Sequence, residues 1–254
     1  MTRGDQNRFQ DFFEERRYVV LKNHLYNYLL RKFAIERVLA RESLGLLLEV
    51  GSGISPVMTK TDRIVYSELS VLACRTLRAL HGRGWYVVAD ATKLPFRSGA
   101  FSHTISSEVL EHIEQDQQAV QELARVLKPG GRLVLTFPHR KCYFTNDDRY
   151  VNHFRRYELD EMTGCLEHFG LHPLQIRKVL GPLEKITMMA AVVVFETLQR
   201  LRRAPRRTKP SKLVRVLEPG FKWMNRAYAC LAWLDARIVP KCLAAVLLIV
   251  AEKR

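Results

Sequence analysis

Leu46-Leu-Leu-Glu-Val-Gly-Ser-Gly-Ile-Ser-Pro56 is the stretch that decides the fold. A short unbroken apolar run ends in an acid, Glu49, and passes into a turn with two glycines one residue apart, Gly51 and Gly53. A run that is apolar at every position fits a strand covered on both faces, as in a parallel sheet. Without a Cβ, both glycines let the backbone turn tightly and approach a ligand closely. Ser55 and Pro56 then predict a helix start, with Ser55 as N-cap, Pro56 in the first turn and free N–H groups facing the loop.

Downstream, Arg63-Ile-Val-Tyr-Ser-Glu-Leu-Ser70 reads as a second strand ending in an acid, Glu68, 17 residues after Gly51. That is close to the ~20-residue offset at which an acid meets ribose hydroxyls in nucleotide-binding βαβ units. A carboxylate suits a vicinal diol because it accepts two hydrogen bonds. The crossover between the two strands leaves room for only about two helical turns. Residues 69–82 then predict a helix, Trp85–Ala89 a third strand ending at Asp90-Ala91, and Phe101–Ile105 a fourth. Ser106-Ser-Glu-Val-Leu-Glu-His112 is expected to open one helix running to Leu127, stopped by Lys128-Pro-Gly-Gly131. Arg132–Phe137 is a fifth strand, Glu158–Phe169 a helix, Leu174–Leu180 a sixth strand and Cys242–Ala251 a last one. Strands alternating with helices predict an α/β, doubly wound and mostly parallel sheet. Ligands of such sheets bind at the carboxyl ends of the strands. Glu49–Gly53, Glu68, Asp90 and Ser106–Glu108 all fall there.

Composition bounds the rest. The chain has 254 residues, 47% of them hydrophobic, enough for one large domain or one with an appendage. Cys74, Cys142, Cys165, Cys230 and Cys242 are scattered without a Cys-x-x-Cys pair, which argues against a disulfide framework or a zinc site, so no metal is expected. Met1–Arg17 is polar and lacks the apolar centre of a secretory signal, and a cytoplasmic location is expected. The net charge of +15 is concentrated: Arg200, Arg202, Arg203, Arg206, Arg207, Lys209, Lys212 and Arg215 follow one another with no acid among them. Ile186–Phe195 before them is nearly all apolar yet too short to span a bilayer, and Phe221, Trp223, Tyr228 and Trp233 follow. An apolar helix beside a cationic loop fits peripheral contact of residues 186–215 with an anionic membrane face. An acceptor lid and an RNA-binding surface are the alternatives. Residues 8–41 carry Phe9, Phe12, Phe13, Leu25, Tyr28, Leu29, Phe33 and Val38 at helical spacing, two helices that cap the core or serve as a lid.

Glu49-Val-Gly-Ser-Gly53, Glu68, Asp90-Ala-Thr-Lys-Leu-Pro-Phe96, Ser107-Glu-Val-Leu-Glu-His-Ile113 and Leu127-Lys-Pro-Gly-Gly-Arg-Leu133 stand in an order that resembles the class I, Rossmann-like S-adenosylmethionine-dependent methyltransferases, most closely their small-molecule branch. The resemblance covers about residues 40–180. It implies a seven-stranded sheet with an antiparallel last strand and S-adenosylmethionine as cofactor. It also implies roles: Gly51, Ser52 and Gly53 against the methionine part, Glu49 supporting the loop or the ammonium group, and Glu68 with Leu69 at the ribose. Asp90 with Ala91 would lie at the adenine, and Ser106, Ser107 and Glu108 near the methyl group. Two departures stand out: Ser55 replaces the third loop glycine, and Ser102 stands where the family usually has Asp.

The segment Asn152-His-Phe-Arg-Arg-Tyr157 resembles the acceptor border of related enzymes. A neutral histidine suits removal of a hydroxyl or amine proton, which makes His153 the first candidate base and His139 the second. Arg155 or Arg156, with Tyr157, would orient an anionic acceptor. Glu111 and His112 read as a first-turn acid and a packed histidine. The layout expected is an N-terminal helical cap over 1–42, a cofactor-binding core over 43–180, a basic helical insertion over 181–240 and the final strand over 241–254. The acceptor expected is a small or lipid-linked molecule, such as a glycan or isoprenoid intermediate, methylated on oxygen or nitrogen. RNA methylation is the enzymatic alternative, disfavoured because Ser106-Ser-Glu-Val stands where base-amino methyltransferases carry Asn/Asp-Pro-Pro-Tyr/Phe. A non-catalytic scaffold at a membrane is the other alternative.

Overall fold

The computed structural model describes residues 23–201 and 212–254. Helix α1 (Tyr26–Leu39) precedes strands β1 (Leu47–Val50) and β2 (Ile64–Glu68). Helix α2 (Val71–His81), β3 (Trp85–Val88) and β4 (Phe101–Ser107) follow. Then come α3 (Asp116–Val126), β5 (Leu127–Pro138), the short α4 (Asn146–Tyr150), α5 (Leu159–His168) and β6 (Leu171–Leu180). Two long helices, α6 (Pro182–Leu201) and α7 (Lys212–Ile238), precede the last strand, β7 (Val246–Lys253). The run of charges at Arg202, Arg203, Arg206, Arg207 and Lys209, like the apolar positions of residues 9–20, lies outside the described residues.

The seven strands form one sheet in the order β3-β2-β1-β4-β5-β7-β6. The first five pair in parallel, and β7 runs antiparallel between β5 and β6. Strand order reverses beside β1, where the chain goes outward to β2 and later returns to β4. Side chains alternate between two cores, as a pleated strand requires. Leu48 and Val50 join Leu133, Leu135, Leu247 and Ile249 on the face covered by α3 and α5. Leu47 joins Ile64, Ile105, Val134, Leu248 and Val250 on the face covered by α1, α2 and α7. Helix α1 therefore shares the core of the sheet, through Ile35, Val38 and Leu39, and is no detached cap. The burial of every β1 position, Glu49 included, follows from cover on both sides of the sheet.

Three local expectations are corrected. No helix follows the Gly51–Gly53 turn: residues 51–63 are turns and bends. The reason is Glu49, whose carboxylate is buried and accepts from the Val57 and Met58 N–H groups at 2.8 and 3.1 Å. Those donors would otherwise belong to a helix, while the Pro56 and Met58 carbonyls accept from the Tyr28 and Tyr66 hydroxyls. Second, Ser106–Leu127 is not one helix, because β4 continues to Ser107, Glu108 turns with φ 55° and Leu110–His112 form a 3₁₀ turn before α3. Third, Cys242–Ala245 precede β7 rather than join it. Helix α2 matches its expectation, with Ser70 Oγ accepting from Ala73 N–H at 3.2 Å and Gly82 closing it at φ 63°.

Candidate active site

A cavity of about 350 Å³ opens at the carboxyl ends of β1, β2, β3 and β4, beside the point where strand order reverses. It has two halves. One is made of strand ends, Glu49–Gly53, Glu68 with Leu69, Asp90 with Ala91, and Ser107 with Glu108. The other is made of side chains from α1, α4, α6 and the loop after α4.

In the first half the acids are held by backbone donors. Glu68 Oε2 accepts from Gly53 N–H at 2.8 Å, and Oε1 accepts from Leu69 and Ser70 N–H at 2.9 and 3.3 Å. The acid at the end of β2 thus reaches across to the turn after β1. Asp90 Oδ1 accepts from the Thr92 N–H and hydroxyl at 2.8 and 2.7 Å, a side chain that forms its own turn and still faces the cavity. Burial pushes the Glu49 carboxyl up to about 7, against the pull of the Val57 and Met58 N–H groups and of Lys32. Gly51 needs to be glycine: its φ is +68°, and a Cβ there would collide with the Val109 side chain, 2.8 Å from Cγ1. Ser52 Oγ is buried at the cavity wall and has no hydrogen-bond partner. An unmatched hydroxyl of that kind, beside two glycines and two hydrogen-bond-accepting acids, fits a polar ligand in the loop.

The second half is built from ion pairs. Asp148 on α4 is fully buried and accepts from His153 Nδ1 at 2.9 Å, Arg156 Nε at 2.7 Å, Lys185 Nζ at 2.6 Å and the Thr145 N–H at 3.0 Å. Burial alone would raise its carboxyl, but these donors together hold it well below the usual range. Lys185 also bonds both oxygens of Asp147 at 2.7 and 2.8 Å, which clamps α6 over the cavity. His153 Nε2 lies 3.8 Å from Glu111 Oε1. Glu111 is wholly buried, and neither of its oxygens has a hydrogen-bond partner. Burial first, then the charge of Glu108, raise its carboxyl far above normal. Glu184, from α6, is pushed to about 7, chiefly by burial.

The structure therefore sorts the sequence candidates. Glu49, Gly51, Ser52, Gly53, Glu68, Leu69, Asp90, Ala91, Ser107, Glu108, His153 and Arg156 line one cavity. Ser106 is buried beneath it. His139 is not brought there: its ring is buried, Nδ1 lies 2.9 Å from the Ala244 carbonyl, and burial lowers its pKa. Arg155 turns outward to Asp116 at 2.7 Å and to the Glu114 carbonyl. Tyr157 is core, its hydroxyl donating to Asp116 at 2.8 Å. Sequence reasoning missed Asn27, Tyr28 and Arg31 on α1, Asp147 and Asp148 on α4, and Glu184 on α6. Glu111 stands in the first turn of the 3₁₀ segment, fully buried with neither oxygen hydrogen-bonded, and His112 lines the cavity. The repeated acid Asp147-Asp148 was the available signal.

Residues 48–135 match the model of the methyltransferase domain family, and the sheet around them has the class I, Rossmann-like arrangement. Among curated proteins, a "probable S-adenosylmethionine-dependent methyltransferase" of Mycobacterium tuberculosis is 27% identical over 136 residues, which cover 53% of this chain and 50% of the relative. A demethylmenaquinone methyltransferase of Clavibacter sepedonicus is 31% identical over 105 residues, covering 40% of this chain and 43% of that one. The chain spans about half the length of the first of these relatives. The methyltransferase domain also shares its fold with a solved structure from Thermotoga maritima, described as a possible histamine N-methyltransferase: TM-score 0.60, 16% identity, 97% of this chain and 98% of that one covered. The matched stretch supplies the first half of the cavity and Glu111 and His112, but not α1, α4 or α6.

Proposed function

We propose that this chain transfers a methyl group from S-adenosylmethionine to an oxygen or nitrogen of a small or lipid-linked acceptor. The observation that carries the reading is the single cavity, in which the strand-end acids Glu68 and Asp90 and the Gly51–Gly53 turn open onto the buried His153–Asp148–Arg156 cluster.

When bound, S-adenosylmethionine supplies an activated methyl group on a sulfonium. The chain's own residues position and shield. Gly51, Ser52 and Gly53 form the wall for the methionine part, and Glu49 holds that turn from beneath through Val57 and Met58. Glu68, with Leu69 beside it, would hold the ribose hydroxyls, and Asp90 with Ala91 would hold the adenine. Ser107 and Glu108 border the transfer point, a role Ser106 does not share from its buried place. Displacement at a sulfonium needs orientation and exclusion of water more than acid–base help, and α1 and α6 supply the cover through Tyr28, Arg31, Glu184 and Met188. The acceptor's proton is the one acid–base problem, and it centres on His153, whose Nδ1 is fixed by Asp148 and whose Nε2 is left toward Glu111. Arg31 and Arg156 line the acceptor end already paired, with Glu108 and Asp148, and fix its walls.

Two observations favour a lipid-linked acceptor. Helices α6 and α7 expose large apolar side chains, among them Ile186, Val193, Trp223, Leu231 and Ile238, and in the sequence the basic run joins these two helices. No helix among the described residues is long and apolar enough to cross a membrane. A face of this kind suits attachment to an anionic membrane surface. A relative named for demethylmenaquinone points the same way.

The test is transfer of labelled methyl from S-adenosylmethionine into fractionated cell extract. Label in the lipid fraction, lost ~10²-fold in His153→Ala, is the expected result. Label in RNA, or label unaffected by His153→Ala, contradicts the reading.

A further inference from the structure

Glu111 has a fully buried carboxylate and neither oxygen has a hydrogen-bond partner. Such a group is expensive to bury, because the free energy lost with its water shell has nothing to offset it. Arg31 is engaged with Glu108 at 3.9 Å and with the Asn27 carbonyl at 3.3 Å, and Arg156 is committed to Asp148. What does face Glu111 is a pair of imidazoles. His153 Nε2 is 3.8 Å away, and the rings of His112 and His153 pack edge to face with centroids 4.6 Å apart. One donor atom from each of Glu111, His112 and His153 lies within 4.8 Å of the others.

We propose that Glu111, His112 and His153 hold a divalent cation of the Mn²⁺ or Zn²⁺ type at the acceptor end of the cavity. Two imidazoles and one carboxylate are the donor set such ions take, rather than the all-oxygen set that suits Mg²⁺ or Ca²⁺. The second requirement of a metal histidine is met as well. His153 Nδ1 is bonded to Asp148, the carboxylate–histidine arrangement that fixes the ring and directs Nε2 at the ion. His112 Nδ1 lies 3.3 Å from the Asn152 carbonyl, a contact that holds its ring beside His153. Asn152 adopts a left-handed backbone with φ 62°, and Glu108, at φ 55°, brings a further carboxylate to the same wall. Ligands of a four-coordinate ion lie roughly 3.4 Å apart at metal distances of ~2.1 Å, so the three donors close in by about 1 Å. Three protein ligands leave a coordination position open to the cavity.

The site rests on the methyltransferase reading only for its consequence: an acceptor with an oxygen donor completes the coordination, which narrows the acceptor class to hydroxyl-bearing molecules. With Nε2 on the ion, His153 serves the acceptor through the metal, which lowers the hydroxyl's pKa, and the Glu108 carboxylate on the same wall receives the proton. The scattered cysteines, which argue against a thiolate zinc site, say nothing against a Glu/His one.

The test uses the full chain, stripped with a chelator and titrated with Mn²⁺ by calorimetry and with Co²⁺ by its visible absorption. One ion per chain is expected, with affinity at least tenfold weaker in Glu111→Gln and in His112→Ala. S-adenosylmethionine is titrated into the same stripped protein. Cofactor binding without any stoichiometric ion overturns the cation site and leaves the methyltransferase reading standing. An ion bound as tightly by Glu111→Gln and His112→Ala as by the wild type also overturns it. An ion bound and lost in both variants, with no cofactor binding, supports the site and removes the methyltransferase reading. If Glu111→Gln does not fold, His112→Ala at the cavity edge carries the comparison.

Discussion

The two halves of the cavity hold their charges by different means. Around Gly51–Gly53 the carboxylates of Glu49, Glu68 and Asp90 are held by nearby N–H groups of their own strand ends and loops. Around Asp148 the carboxylates are held by side chains from elsewhere: Lys185 comes from 37 residues away and Arg156 from 8. Backbone donors cannot be mutated away, so the first half is robust and suited to a ligand common to a family. Side-chain partners are freely exchanged, so the second half suits an acceptor particular to one enzyme. Removing one partner there strands the others in a dry interior.

That contrast can be broken by substitution. The largest effect is expected at Asp148→Ala, which leaves Arg156 and Lys185 short of their buried counter-charge. A loss of ~3–5 kcal/mol in unfolding free energy by urea titration is predicted; a change under 1 kcal/mol would show that the cluster does not hold the second half together. Gly51→Val comes next, since a side chain at φ +68° is strained and meets Val109. S-adenosylmethionine affinity should fall by more than about 100-fold, while Asp148's cluster and the fold survive as judged by thermal unfolding.

Glu68→Ala should weaken the same affinity by ~1–3 kcal/mol, the worth of charged hydrogen bonds, without touching stability by more than it removes from the loop. Unchanged affinity would take Glu68 out of the ribose contact.

The smallest effect concerns pH. The Glu184 carboxyl is raised from 4.5 to about 7, so between those values the folded chain holds a proton that the unfolded chain has released. Its stabilising contribution is complete below pH 4.5 and is lost as pH rises toward 7; Glu49 acts in the same sense over the same window. Glu184→Gln removes that dependence, so its Tm relative to wild type should be several degrees higher at pH 8 than at pH 5. An equal difference at both pH values would show that Glu184 titrates normally.

The same contrast explains what was legible in the sequence. Glu49, Gly51, Gly53, Glu68 and Asp90 stand at ends of apolar runs, and period and spacing alone place them together. The sheet was legible for the same reason, since Leu46–Leu48 and Val246–Val250 are unbroken apolar runs. Where a side chain takes over a backbone role, local reading fails. Ser55-Pro56 carries a sound helix-start signal, and the buried Glu49 carboxylate overrides it by claiming the next N–H groups. His139 and His153 look alike in sequence, and only tertiary contacts assign one to the Ala244 carbonyl and the other to Asp148. The helix expected from Ser106 was misplaced because β4 runs on to Ser107 and the chain turns at Glu108. Nothing local in α6 announces that Lys185 closes on α4.

The central claim is that one cavity serves a methyl-donating cofactor. Calorimetric titration of the purified chain with S-adenosylmethionine and with its demethylated product tests it most directly. One-to-one binding of both at micromolar affinity, weakened in Glu68→Ala, is the predicted result. No binding of either by a protein that unfolds cooperatively would contradict the account.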